Sequence, residues 1–209
     1  MKRILAYGDS NTWGLIPGTS PFERYEDDVR WTGVLQNKLP DVRIIEEGLC
    51  GRTTVFDDKL RRGRNGRRSL PLILESKYPI DGAILMLGTN DCKAIYNASP
   101  QYIGRGIEQC LDELEKYVAS DKILLISPIH LGEDVWREEK DPEFDRESIA
   151  KSKALKEVYQ EIVSRRGLNF LAASDYVKPD SKDDEHLSAE SHTILAREIY
   201  LKLQNTILK

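Results

Sequence analysis

The chain has 209 residues, 40% of them hydrophobic and 32% charged. That balance fits one globular domain with a substantial core and excludes a disordered chain. The net charge of −4 gives no general attraction to nucleic acid or anionic lipid.

Short apolar runs alternate with longer amphipathic stretches. Ile4 to Tyr7 reads as a first strand ending at Gly8. Trp31 to Leu39 carries Trp31, Val34, Leu35 and Leu39 at helical spacing, and Pro40 stops it. Val42 to Ile45 is a second strand, and Leu70 to Ser76 a short helix. Gly82 to Leu87 is continuously apolar, the pattern of a strand buried on both faces. A helix follows from about Tyr102 to Val118, with Ile107, Leu111, Leu114 and Val118 on one face. Lys122 to Ser127 is a fourth strand closed by Pro128. Ser148 to Arg166 is a helix, Leu168 to Leu171 a fifth strand, and a last helix runs from an N-cap at Ser188 to about Ile207.

This alternation predicts one α/β domain over residues 1–209, a three-layer α/β/α sandwich around a five-stranded parallel sheet in flavodoxin-like order. Sites in such sheets lie outside the carboxyl ends of the strands. Gly8-Asp9-Ser10, Glu47 to Gly51, Gly88 to Asp91 and Ser127 to His130 each follow a strand. They are therefore expected on one rim.

Those segments carry chemistry. Ser10 could be a nucleophile, given a base to take its proton, or a turn and N-cap serine. GxSxG is absent around every serine. Three histidines exist: His130, His186 and His192. His186 stands in Asp183-Asp184-Glu185-His186, a loop where an acid three positions earlier can reach the ring and fix its tautomer. It could equally be an exposed histidine in an acidic loop. His192 reads as a helix surface residue. His130 is a pocket wall at the rim or a hydrogen-bonded loop residue. Acyl transfer needs donors aimed at developing negative charge. The Asn90 amide and the unshielded Gly51 N–H are candidates, with turn chemistry the alternative for each.

Taken in order, Gly-Asp-Ser after strand one, Gly after strand two, Gly-x-Asn-Asp after strand three and Asp-x-x-His before the last helix resemble the SGNH (GDSL-type) hydrolase family. The similarity runs from Gly8 to His186. It is nearest to that family's arylesterase/acyltransferase branch through Arg30-Trp31-Thr32-Gly33-Val34-Leu35, Glu46-Glu47-Gly48-Leu49 with Arg52-Thr53-Thr54, and Met86-Leu87-Gly88-Thr89-Asn90-Asp91. The resemblance implies Ser10 as nucleophile, His186 as general base and acid, and Asp183 as the residue that orients it. It implies an oxyanion hole from the Ser10 and Gly51 N–H groups and the Asn90 side chain, with Asp9 and Asp91 bracing their loops. Family spacing selects Asp183, although geometry alone leaves Asp184 open. Asn11 stands where the family name implies Leu. The expected activity is hydrolysis of small, acetyl-type esters, with acyl transfer to alcohols alongside. The alternatives are a lysophospholipase or thioesterase with a longer acyl pocket, a carbohydrate acetylesterase, and a noncatalytic acyl- or carbohydrate-binding module.

Other features imply less chemistry. Arg61 to Arg68 lacks interleaved aromatics, so it reads as a solvated loop, one able to pair with an acidic neighbouring subunit, rather than a nucleic-acid patch. Glu133 to Arg146, with Trp136 and Phe144, is a lid, a subunit contact or a surface excursion. Trp13 is a candidate for the site mouth, and Trp31 for the mouth or the core. No Cys/His/Asp cluster has metal-ligand spacing and no P-loop is present, so no metal or cofactor is expected. Cys50, Cys92 and Cys110 are an odd number and read as free thiols. No signal peptide fits the N-terminus, and no apolar run approaches the ~18 residues of a membrane span. A cytoplasmic homo-oligomer acting on a small-molecule ester, without nucleic-acid or membrane partners, is the expectation.

Overall fold

The computed structural model describes residues 1–19 and 23–209. Five strands form one parallel sheet: β1 (Lys2–Gly8), β2 (Val42–Gly48), β3 (Gly82–Met86), β4 (Ile123–Ser127) and β5 (Asn169–Ala172). Their order is β2-β1-β3-β4-β5, the flavodoxin-like order expected from the sequence. The register is continuous, with Gly8 opposite Gly48 on one side and Met86 on the other.

The strand period of two sorts each side chain to one of two cores. Leu5, Tyr7, Ala83, Leu85, Ile123 and Leu125 point to one face. There they meet α3 (Gly66–Lys77), α4 (Pro100–Leu114) and α5 (Arg146–Arg166) through residues such as Leu70, Ile107 and Tyr159. Ile4, Ala6, Ile84, Met86, Leu124 and Ile126 point to the other. That face packs on α2 (Trp31–Lys38) and α6 (Ala189–Asn205) through Trp31, Leu35, Leu195 and Ile199. Because β1, β3 and β4 are covered on both sides, their residues are apolar without alternation. Among the described residues no helix is long and apolar enough to cross a membrane.

Helix ends follow their caps. α3 starts four residues before the expected Leu70, because the Asn65 side chain accepts from the Arg68 N–H at 3.1 Å. The basic stretch is therefore not one solvated loop: Arg67 and Arg68 belong to α3. α4 begins at Pro100 behind a Ser99 cap, a start signal that outweighs the later periodicity, and ends at Leu114 rather than Val118. α5 is capped reciprocally by Asp145 and Ser148. α6 starts after Ser188, as expected. His192 overturns its surface reading. It is fully buried, its Nδ1 accepts from the Trp31 N–H at 3.3 Å, and its ring packs edge-on against Tyr25. Burial, with Arg30 and His186 adding, lowers its pKa to about 3, so the ring is neutral. Trp31 itself is core.

Candidate active site

The chain reverses direction across the sheet at β1, which lies between β2 and β3, so the carboxyl ends of β1 and β3 flank the topological switch point. Ser10 and Asn90 sit there. Gly8 lets the chain turn: a Cβ on it would stand 2.1 Å from Thr12 Oγ1 and 2.8 Å from the Met86 carbonyl. Ser10 then opens α1 (Ser10–Trp13), a single turn capped by Asp9, whose Oδ1 accepts from the Asn11 N–H at 3.0 Å.

His186 arrives from the opposite end of the sequence. Its Nε2 lies 2.9 Å from Ser10 Oγ and its Nδ1 lies 2.8 Å from Asp183 Oδ2. Asp183 Oδ1 also accepts the backbone N–H groups of Glu185 and His186, and Oδ2 accepts that of Gly18. The carboxylate is thus held by its own loop before it meets the ring. Burial works against its charge, but His186 and these N–H groups prevail and its pKa falls to about 2. Burial also opposes charge on His186. The carboxylates of Glu185, Asp183 and Asp9 outweigh it and lift the imidazole to about 9.

Asp184 does something else. Its backbone is left-handed, with φ 60°, and its side chain turns away from the ring to Lys140 Nζ at 2.6 Å and the Asp134 N–H at 3.1 Å. It docks the 133–146 segment, whose Val135 and Phe144 are buried in the core. That segment is thus packed on the domain, and it contributes Asp141 and Glu143 to the site.

The candidate oxyanion donors converge on the same cleft. Gly51 (φ 78°) and Asn90 both line it beside Ser10 and His186. No described residue accepts a hydrogen bond from the Ser10 or Gly51 N–H. Asn90 Nδ2 donates to the Arg52 carbonyl at 3.2 Å, which fixes the amide and leaves its second hydrogen for a ligand. Asp91 holds the neighbouring loop by accepting the Thr54 N–H at 3.0 Å and the Thr54 hydroxyl. Burial raises the Asp91 carboxyl to about 7 and that of Asp9 to about 6.

Four further residues, none of them expected there from the sequence, complete the site. Asn11 clamps the two halves of the site: its Nδ2 donates to the Glu185 carbonyl at 3.2 Å and its Oδ1 accepts from the Leu187 N–H at 2.9 Å. Its place in the motif was visible, but its partners lie some 175 positions away along the chain. Arg52 donates to the Gly8 carbonyl at 2.7 Å and to that of Glu47, with its guanidinium 4.1 Å from the Tyr7 ring centre. It ties the ends of β1 and β2 together. Lys93 is buried, ion-paired to Glu143 and 3.2 Å from Asp141. Burial disfavours its charge, yet Glu185, Asp141 and Glu143 hold its pKa above the ordinary lysine value. Glu185 lines the cleft with 6% of its side chain exposed.

Two expected pocket residues lie elsewhere. His130 does not line the cleft. Burial lowers its pKa, with Lys153 and Lys156 of α5 adding to the effect. Trp13 is outside the cleft too, with the Arg24 guanidinium 4.9 Å from its ring. Two of the remaining basic residues brace the site: Arg64 donates to the Cys50 carbonyl at 3.0 Å, and Arg61 pairs with Asp58 at 3.1 Å while its guanidinium packs against Gly51.

A model of the GDSL-like lipase/acylhydrolase family matches residues 6–194. The fold is similar to that of Est24, a carbohydrate acetylesterase from Sinorhizobium meliloti, at 33% identity and TM-score 0.88 over 98% of this chain and 99% of that one. It is similar to the native aryl esterase of M. smegmatis at 32% identity and TM-score 0.88, again over 98% and 99%. A lipase/acylhydrolase from Enterococcus faecalis shares the fold at 19% identity and TM-score 0.71, over 98% of this chain and 96% of that one. A comparison with curated proteins found no match.

Proposed function

The chain belongs to the GDSL-like lipase/acylhydrolase family, and from that premise we propose that it hydrolyses esters of small acyl groups through an acyl-enzyme on Ser10. The observation that carries this reading is the relay of 2.9 and 2.8 Å from Ser10 Oγ through the His186 ring to Asp183.

In this mechanism His186 Nε2 accepts the Ser10 proton as Oγ attacks the ester carbonyl carbon. Asp183 keeps the remaining proton on Nδ1 and stabilises the imidazolium. The carbonyl oxygen gains the negative charge and receives hydrogen bonds from the N–H groups of Ser10 and Gly51 and from Asn90 Nδ2. The C–O bond to the alcohol breaks, and His186 returns its proton to the departing oxygen. Water then attacks the acyl-serine by the same route, releasing the acid and restoring Ser10. An alcohol in place of that water gives a new ester.

The cleft beside Ser10 encloses about 220 Å³ and is lined largely by polar side chains. Long-chain acyl groups need apolar surface, so the polar lining beside Ser10 favours acetyl. A longer chain would have to reach the adjoining hollow beyond Gly51 and Asn90, flanked by Leu60, Ile95 and Tyr96. The carbohydrate acetylesterase activity named for Est24 brings acetylated sugars within the reading. A p-nitrophenyl ester series from acetate to octanoate, run beside Ser10→Ala, tests it. Turnover should peak at the short end and vanish in the variant. A maximum at octanoate would move the reading to the long-chain alternative. Turnover at the wild-type rate in Ser10→Ala would end it.

A further inference from the structure

Glu185 is a carboxylate in an unusual position. Its side chain is 94% removed from solvent, lines the cleft, and puts Oε1 3.8 Å from His186 Nε2. Its backbone is fully used, the N–H by Asp183 and the carbonyl by Asn11. Its carboxylate accepts no hydrogen bond from any described residue. The nearby Lys93 ammonium is committed to Glu143 and Asp141. A carboxylate this far withdrawn from water, facing the cleft with no donor among the described residues, calls for an explanation. Structural need gives none, since the loop is held by Asp183 and Asn11.

The position supplies one. His186 Nε2 is the atom that delivers a proton to the departing oxygen, which must therefore come within hydrogen-bond reach of it. An acceptor 3.8 Å from Nε2 is adjacent to the carbon skeleton of the departing alcohol. A hydroxyl on the carbon adjacent to the one that bears the ester oxygen would meet that carboxylate. An ammonium is less well matched. Lys93 and Arg61 bring two cations into the same cleft, against the anions Glu185, Asp141 and Glu143. Such mixed charge suits neutral hydroxyl donors.

We propose that Glu185 is a specificity-determining residue that accepts a hydrogen bond from a hydroxyl vicinal to the scissile ester oxygen, so that the enzyme prefers monoesters of polyols over esters of simple alcohols. This rests on Ser10 and His186 acting as described above. A site built to bond a substrate hydroxyl discriminates strongly against the analogue lacking it, because its buried polar group is then left unpaired.

The test compares kcat/KM for glycerol 1-acetate and propyl acetate in the wild type, Glu185→Gln and Glu185→Asp. Any effect of Glu185 on His186 acts on both substrates and cancels in their ratio. The wild-type ratio should exceed one. It should fall roughly 5- to 10-fold in Glu185→Gln, whose amide oxygen still accepts but makes the weaker, uncharged hydrogen bond. Glu185→Asp, which keeps the carboxylate, should recover part of it. Fluorophosphonate labelling of Ser10 in each variant reports an intact site. A ratio unchanged within threefold in labelled Glu185→Gln overturns the assignment and leaves the ester hydrolase reading standing. Acetylcholine outperforming glycerol acetate, with the larger loss in Glu185→Gln, also overturns it in favour of a cation site. Unaltered turnover of both esters in Ser10→Ala removes the underlying reading instead.

Discussion

Asp183 and Asp184 are neighbours in sequence with opposite expected roles, so substituting each by asparagine isolates the relay. In Asp183→Asn the amide keeps the shape, but its NH₂ can face His186 Nδ1, where a carboxylate oxygen stood at 2.8 Å. Nδ1 then becomes an acceptor and the ring proton moves to Nε2, the atom 2.9 Å from Ser10 Oγ. A protonated Nε2 cannot take the serine proton. The same change in other Ser-His-Asp enzymes costs about 10⁴ in kcat, or about 5 kcal/mol of transition-state stabilisation. Asp184→Asn loses the Lys140 ion pair, which is only partly buried, and asparagine tolerates the left-handed backbone at φ 60°. Its cost should be about 1 kcal/mol of stability and no more than a few-fold in rate. Stopped-flow release of p-nitrophenol from the acetate ester, normalised to fluorophosphonate-titrated Ser10, measures both. Equal losses in the two variants, or Asp183→Asn keeping a tenth of the activity, would refute the relay.

Asn90→Ala should lower kcat about 10²–10³-fold with little change in KM, as removal of one oxyanion donor does, and steady-state kinetics on the acetate ester check it. His186 must be neutral to act as a base, and its pKa is raised, so kcat/KM should climb with pH through an acid limb above the ordinary histidine value. Glu185→Gln removes one of the raising carboxylates and should move that limb to lower pH. An unmoved limb would contradict the electrostatic assignment. Asn11→Ala loses two hydrogen bonds between the nucleophile turn and the histidine loop, and should cost about 2 kcal/mol in urea unfolding. Arg52→Met removes two charged hydrogen bonds and a ring contact at about 3 kcal/mol, so calorimetry should show Tm lower by roughly 6–12 °C.

The parallel sheet and its order were legible because β1, β3 and β4 are buried on both faces and read as unbroken apolar runs. The rim rule brought together segments 8–10, 47–51 and 88–91, which line one cleft, but it also placed 127–130 there, which does not line it. The 183–186 loop entered through its Asp-x-x-His spacing and the family resemblance. Choosing Asp183 over Asp184 needed family spacing. The structure separates the two by the left-handed backbone at Asp184, which no local pattern signals. His192 was misplaced because its polarity was weighed above its register: it stands three and seven positions before Leu195 and Ile199, on the inward face of α6. A polar ring can be buried when it is neutral and bonded, here to the Trp31 N–H. His130 and Trp13 follow strand ends in the right order, yet neither lines the cleft. Lys93, Asp141 and Glu143 were illegible for another reason. Lys93 comes from one loop and Asp141 and Glu143 from another, and their meeting depends on how the 133–146 segment docks through Asp184.

The most direct test of Ser10 as the acyl carrier is rapid acid quench of the enzyme during turnover of p-nitrophenyl acetate, followed by peptide mass spectrometry. An acetyl group should appear on the peptide holding Ser10 within the first turnover and accumulate further in variants that slow deacylation. Acetyl on another nucleophile, with Ser10 unmodified and turnover undiminished, would contradict it.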